Sequence, residues 1–233
     1  MQHSPDQLRE KQMAGEEAVK YIENGMVIGI GTGTTAAYMI KALAQRLGEG
    51  LTIVGAVPTS EATAQFASNL GVPLTNLDTH PELDLVIDGA DEIDDQLRLI
   101  KGGGGALLRE KIVATASRRF IVIADTSKLV PQLGHKFPVP VETIPFGITP
   151  VYKRLQALGA QVRLRQQDGQ VFHTDSGNII LDCFFPGGID DPESLHANMK
   201  ALVGVVETGL FLGMTERAII GGVGGVQVLI NHP

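Results

Sequence analysis

The chain has 233 residues, 43% hydrophobic and 19% charged, enough apolar material for one large packed domain or a domain with a subdomain, and not a disordered chain. Nineteen basic against 26 acidic residues leave a net charge of −7, so no basic face is expected for a nucleic-acid partner. The 28 glycines cluster without a fixed period, and the single cysteine, Cys183, excludes an internal disulfide and a multi-cysteine zinc site.

The chain opens with a helix expected over 6–21 and ended by Gly25. Its first residues, Pro5, Asp6, Arg9 and Glu10, contain no apolar signal core, and the expected location is cytoplasmic. The uncharged stretch 24–40 is broken by glycines and does not read as a membrane span. Short apolar runs at 26–30, 51–57, 83–87 and 120–124 read as strands buried on both faces. Helical segments at 35–47, 61–70 and 106–117 lie between them; the first sets Ala36, Ile40, Leu43 and Leu47 on one face. This alternation predicts an α/β fold with a doubly wound, mostly parallel sheet.

Beyond Pro131 that rhythm stops. The order becomes strand 138–142, helix 149–158, strand 161–164, strand 178–183, helix 192–201 and strand 204–207, the β-α-β-β-α-β order of a ferredoxin-like motif. Cys183 falls in an apolar run and reads as buried filler. Segments 218–220 and 226–230 return as a hairpin or as a last strand pair on the first sheet. The expected organisation is a Rossmann-like core of residues 1–131 and 207–233 with an inserted ferredoxin-like α+β lid domain, 132–206. The glycine cluster 221–225 reads as a loop.

Four segments carry possible chemistry. The first, Gly29-Ile30-Gly31-Thr32-Gly33-Thr34-Thr35, leaves a strand and opens a helix, where bare amides and hydroxyls make an anion site. A dinucleotide loop wants an acid at the end of the second strand, and Pro58-Thr59-Ser60 stands there instead. The hydroxyls of Thr32, Thr34 and Thr35 suit a terminal phosphate better. The second, Asp88-Gly89-Ala90-Asp91-Glu92, sets two carboxylates three apart after a strand, either as an acid–base pair or as turn caps. Asp94 and Asp95, at the end of a run of six acids between positions 84 and 95, read as a solvated turn. The third, Lys101-Gly102-Gly103-Gly104-Gly105, leads into a helix carrying Glu110 and lacks the Gly-Lys-Ser/Thr of a nucleotide P-loop. The fourth, Asp125-Thr126-Ser127-Lys128, places a lysine after a strand. The histidines, His232 among them, are scattered without metal-ligand spacing.

In this order and spacing the four segments resemble the type A ribose-5-phosphate isomerases over nearly the whole chain. The pattern commonly has serine at Thr34 and alanine at Gly105; the second change is expected only to loosen the loop. The resemblance implies interconversion of ribose 5-phosphate and ribulose 5-phosphate in the pentose phosphate pathway through a cis-enediolate, with no metal and no organic cofactor. It implies Glu110 as the catalytic carboxylate. Asp88, Asp91 and Lys101 are the further catalytic candidates, and Asp88 and Asp91 stay open as to which opens the sugar ring. The substrate-binding residues it implies are Thr32, Gly33, Thr34, Thr35, Asp88, Gly89, Ala90, Asp91, Lys101, Gly102, Gly103, Gly104 and Lys128, with Lys11 as a further phosphate contact. The implied partners are a pentose phosphate and further copies of the chain, as a homodimer or higher homo-oligomer. The same fold family includes sugar-phosphate-binding sensor domains of transcription regulators, which is the alternative reading.

Overall fold

The computed structural model describes residues 4–230, and His232 lies outside them. These residues form two compact units, one of residues 4–90, 109–128 and 214–230, the other of Asp91–Leu108 and Leu129–Gly213.

The first unit is built on a six-stranded sheet. Its spatial order is Gly225–Ile230, Arg217–Gly222, Phe120–Asp125, Leu85–Gly89, Val27–Ile30 and Gly55–Pro58. Every neighbouring pair is parallel except the hairpin formed by Arg217–Gly222 and Gly225–Ile230. The central strands are apolar on both faces, and Leu85, Val86, Ile87 and Ile121 to Ala124 are all buried. The sheet is the expected doubly wound one. The second strand starts later than its apolar run, because Val54 is exposed and pairing with Val27 begins at Gly55.

Helix α1 (Pro5–Ala18) starts on a capping box in which the Ser4 hydroxyl accepts from the Gln7 amide and the Gln7 side chain accepts from the Ser4 amide. It continues into a single 3-10 turn, Val19–Tyr21. Helices α2 (Thr34–Gly48) and α3 (Glu61–Asn69) follow the first two strands, and α4 (Leu107–Thr115) precedes Phe120–Asp125. The buried side of α1 carries Glu10, Lys11, Ala14, Gly15 and Ala18, so two charged residues lie on its inner face.

In the second unit the four-stranded sheet runs Val205–Thr208, Val139–Thr143, Ile179–Phe184 and Gln161–Leu164, all neighbours antiparallel. With α5 (Ile148–Ala157) and α6 (Pro192–Lys200) this is the expected ferredoxin-like arrangement. Val139, Val141, Leu181, Cys183 and Val162 pack with Val151, Leu155 and Met199 in one core. Cys183 is buried as expected, and burial with Asp182 beside it pushes its thiol far above the ordinary range. Two small sheets accompany this core. One is the hairpin Gln166–Gln167 with Gln170–Val171; the other joins Glu92–Ile93, Leu99–Ile100 and Leu210–Phe211.

The 221–225 cluster is not merely a loop. Gly221 and Gly222 end one strand, Gly225 begins the next, and a Cβ at Gly221 would fall on the backbone carbonyl of Glu10. Helix α1 can approach the sheet there only because no side chain intervenes. Gly221→Ala is therefore expected to lower unfolding stability by ~1–3 kcal/mol, the usual cost of overpacking. Gly224→Ala, where a Cβ meets nothing within 4 Å, should leave it within about 0.5 kcal/mol. Urea midpoints of the two variants check the contrast.

Candidate active site

In the larger unit, Val27–Ile30 has Gly55–Pro58 on one side and Leu85–Gly89 on the other, both parallel to it. The winding reverses there, and open α/β sheets hold ligands at the strand carboxyl ends of such a point. Asp88 stands at that edge with 1% exposure. Its Oδ1 accepts from the Thr32 amide at 3.1 Å and from the Gly89 amide at 2.7 Å, and its Oδ2 is buried. The Gly31 amide donates to the Ile87 carbonyl at 2.9 Å. The glycine–threonine loop and the first acid of Asp88-Gly89-Ala90 are thus one hydrogen-bonded assembly.

Helix α2 begins after Gly33, without a side-chain cap and without an acid in its first turn. Gly33 and Thr34 are exposed, while Thr35 is buried. An uncapped helix start presents amide donors and the positive end of the helix dipole to an anion. The hydroxyl of Thr32 is used differently. It donates to Ser60 Oγ at 2.8 Å and shares hydrogen bonds with Thr59 Oγ1 at 2.8 Å and Thr63 Oγ1 at 3.0 Å. Thr63 donates onward to the Gly31 carbonyl at 3.2 Å. Thr59, Ser60 and Thr63 were not among the expected site residues. Their signal was the hydroxyl pair directly after the second strand, where a dinucleotide fold has its acid.

Glu110 lies in the first turn of α4, 6% exposed, with Oε2 fully buried. Arg109 beside it pairs with Glu61 at 2.7 Å. Lys128 is half-buried in the one-turn 3-10 helix Thr126–Lys128. Lys11 is buried against Asp125, the last residue of its strand. Asp125 also accepts from the amide of Ser127 at 3.0 Å and from its hydroxyl. Burial pushes the Asp125 carboxyl up, and the bonds from Lys11 and Ser127 more than reverse this, leaving it below its ordinary value. Glu10 accepts from the Thr126 hydroxyl at 2.9 Å.

The smaller unit carries the other expected residues. Asp91 is half-buried, and its Oδ2 accepts from the Gly103 amide at 2.7 Å. Glu92 is 1% exposed and accepts from the amides of Gly134, Lys136 and Phe137 at 2.6–2.7 Å, so the last acid of its motif pins a loop. Asp94 is not in a solvated turn. It is 2% exposed and accepts from the Gln96 and Arg98 amides and from Arg98 Nε, because the reversal between two short strands needs an acceptor; Asp95 alone is exposed. Lys101 is 2% exposed, with its ammonium 5.5 Å from the centre of the Phe211 ring. The Gly105 amide donates to the Gly102 carbonyl at 3.0 Å, closing a turn whose tip, Gly103 and Gly104, is exposed. Alanine at Gly105 does more than change looseness: φ is +83° there, and a Cβ would run into the Phe172 ring. Among the described residues no three His, Cys, Asp or Glu side chains are grouped as a metal site would need.

A doubly wound sheet with an uncapped helix start and a buried carboxylate at its switch point is the arrangement of an α/β protein suited to a small anionic ligand. A family profile described as ribose 5-phosphate isomerase A (phosphoriboisomerase A) matches residues 55–225. Ribose-5-phosphate isomerase A of Roseiflexus castenholzii is 55% identical over 221 residues, covering 94% of both chains. The solved ribose 5-phosphate isomerase A of Methanocaldococcus jannaschii superposes with a TM-score of 0.91 at 40% identity, covering 97% of this chain and 100% of that one. A solved D-ribose-5-phosphate isomerase in complex with phospho-erythronic acid gives 0.91 and 40%, covering 94% and 97%. The chain belongs to the ribose-5-phosphate isomerase A family and is an aldose–ketose isomerase.

A carboxyl held below its usual value in the folded state stabilises the fold above the unfolded value, and that stabilisation disappears as pH falls through the folded one. For Asp125 the ordinary value is 3.8. Asp125→Asn is expected to flatten the fall in urea midpoint as pH drops below about 4. At neutral pH the same variant should lose ~3 kcal/mol, since Lys11 stays buried without its counter-charge.

Proposed function

We propose that Glu110 is the base that moves the proton as this isomerase interconverts D-ribose 5-phosphate and D-ribulose 5-phosphate. An aldose becomes a ketose when a proton leaves C2 and returns at C1 through a cis-enediolate. One carboxylate on one face of the sugar performs both transfers. The enediolate oxygen gains negative charge, which Lys101 and the amides of Gly102 and Gly104 stabilise, while the Gly103 amide holds Asp91. Asp88 and Asp91 divide two tasks, proton transfer in opening the furanose ring and orientation of a hydroxyl; Gly89 and Ala90 join them.

Gly33, Thr34 and Thr35 with the start of α2 hold the phosphate, assisted by Lys128; Thr32 fixes the loop through Asp88 and the neighbouring hydroxyls, and Lys11 stays paired with Asp125. The phosphate takes no part in bond-making and positions the sugar. The observation that carries this reading is the Asp88 carboxylate, buried and tied through Oδ1 to the loop that opens α2. Phospho-erythronic acid, bound by the solved relative, carries a carboxylate and a phosphate on one short carbon chain. That is the charge pattern of the proposed intermediate.

The proposed setting of the reaction is the pentose phosphate pathway in the cytoplasm. No described helix is long and apolar enough to cross a membrane. Assembly into a homodimer or larger homo-oligomer is supported by Val226, Val228 and Ile230, exposed at alternate positions of the edge strand Gly225–Ile230.

Glu110→Gln keeps the shape and removes the base. Turnover is expected to fall at least ~10²-fold with little change in KM, read in a coupled assay with ribose 5-phosphate. The wild-type rate in the same assay should be undiminished by a chelator. Near-normal turnover of the variant would remove Glu110 from the mechanism.

A further inference from the structure

We propose that Arg165, anchored by Asp182, is a positioning residue that sets the direction of the amides in the glycine turn 102–105. The proposal rests on the roles assigned above to Asp91 and to those amides.

In a trans peptide the carbonyl and the N–H point in opposite directions. The peptide joining Gly102 to Gly103 is held at both ends. Its carbonyl accepts from Arg165 Nη1 at 2.6 Å, and its N–H donates to Asp91 Oδ2 at 2.7 Å. A cation and an anion therefore clamp one peptide plane from opposite sides. The same Nη1 reaches the Gly103 carbonyl at 3.2 Å, which directs the Gly104 N–H away from Arg165. Without side chains, the exposed tip Gly103-Gly104 adds nothing of its own to the Gly105–Gly102 turn bond in fixing these planes. The carbonyl contacts to Arg165 fix them from outside.

Arg165 is suited to this because it is itself immobile. Its Nε donates to Asp182 Oδ2 at 3.0 Å, and its Nη2 pairs with Asp182 Oδ1. Its amide donates to the Ile180 carbonyl at 2.9 Å, and its guanidinium lies 6.0 Å from the centre of the Phe172 ring. The Arg165 and Asp182 side chains are 13% and 15% exposed. A guanidinium fork can grip a carboxylate with one edge and carbonyls with the other, whereas a lysine ammonium at the same place cannot keep both sets. The consequence for catalysis is specific. Amide direction matters where charge develops, so Arg165 acts on the transition state and leaves ground-state binding of the phosphate and hydroxyls unchanged.

The test compares Arg165→Met, Arg165→Lys and Asp182→Asn with the wild type. The readouts are kcat and KM for ribose 5-phosphate, inhibition by phospho-erythronic acid, and the urea midpoint. Removing one oxyanion donor costs roughly 10²–10³ in kcat, so misdirecting amides in Arg165→Met is expected to cost about 10–10²-fold. KM should change by less than about threefold, while affinity for phospho-erythronic acid falls by a factor close to that in kcat/KM. Arg165→Lys should recover part of the loss, and Asp182→Asn should show a smaller loss with the same split. If Arg165→Met does not fold, the other two variants carry the same readings. An unchanged kcat overturns the proposal, as does a rise in KM alone, or a loss of kcat with phospho-erythronic acid bound as tightly as before. Glu110→Gln, run alongside, separates the two levels. Activity retained there removes the site reading itself, whereas an inactive Glu110→Gln beside a fully active Arg165→Met removes only the role of Arg165.

Discussion

A carboxylate at the end of a buried parallel strand can stay there only if backbone amides take the place of water, and the larger unit is organised around that requirement at Asp88. The Thr32 and Gly89 amides meet it at a single oxygen. Charge-assisted bonds of this kind are short and costly to lose. Asp88 is thereby the post on which both neighbouring loops hang. The turn before α2 cannot shift without breaking a bond to a buried charge, and the hydroxyl group of Thr59, Ser60 and Thr63 holds Thr32 from the other side. A loop rich in glycine and threonine becomes rigid through its partners.

The same solution recurs across the molecule at other acids. Glu92 gathers three amides, Asp94 caps a reversal, and Glu142 accepts from Thr174 and Asn178 within the smaller unit. Asp125 joins Lys11 to the turn at Ser127. Several of the 26 acidic residues therefore act as internal fasteners, and the excess negative charge is not all displayed to solvent.

Much of this was legible in the sequence because it depends on short-range rules. Apolar runs buried on both faces, glycine at strand exits and the β-α-β-β-α-β order each follow from neighbours a few residues apart. The motifs around Asp88, Lys101 and Glu110 were visible for the same reason. What escaped depends on distance along the chain. Arg165 reaches carbonyls about sixty residues away, Glu92 reaches amides more than forty residues on, and the need for glycine at Gly221 is set by the carbonyl of Glu10. A spacing pattern carries no trace of such partners. Asp94 differs for a more local reason: a dense run of acids predicts exposure, but the Arg98 side chain four residues on shelters it.

The contact between α1 and the strand Arg217–Gly222 also bears on how the chain is made. That strand pairs in parallel with Phe120–Asp125, and α1 needs Gly221 in place to seat Glu10. The sheet of the larger unit therefore stays open on one side until Arg217–Gly222 has been made. The smaller unit ends at Gly213 and has every strand in hand before then. During synthesis α1 has α2 and Phe120–Asp125 to pack against before Arg217–Gly222 emerges, but the apolar strand Phe120–Asp125 lacks one neighbour in the meantime. Long-range closure of this kind slows folding and exposes aggregation-prone edges. The segment Arg217–Ile230 thus determines when the sheet of the larger unit is complete, although none of its residues was assigned a part in the chemistry.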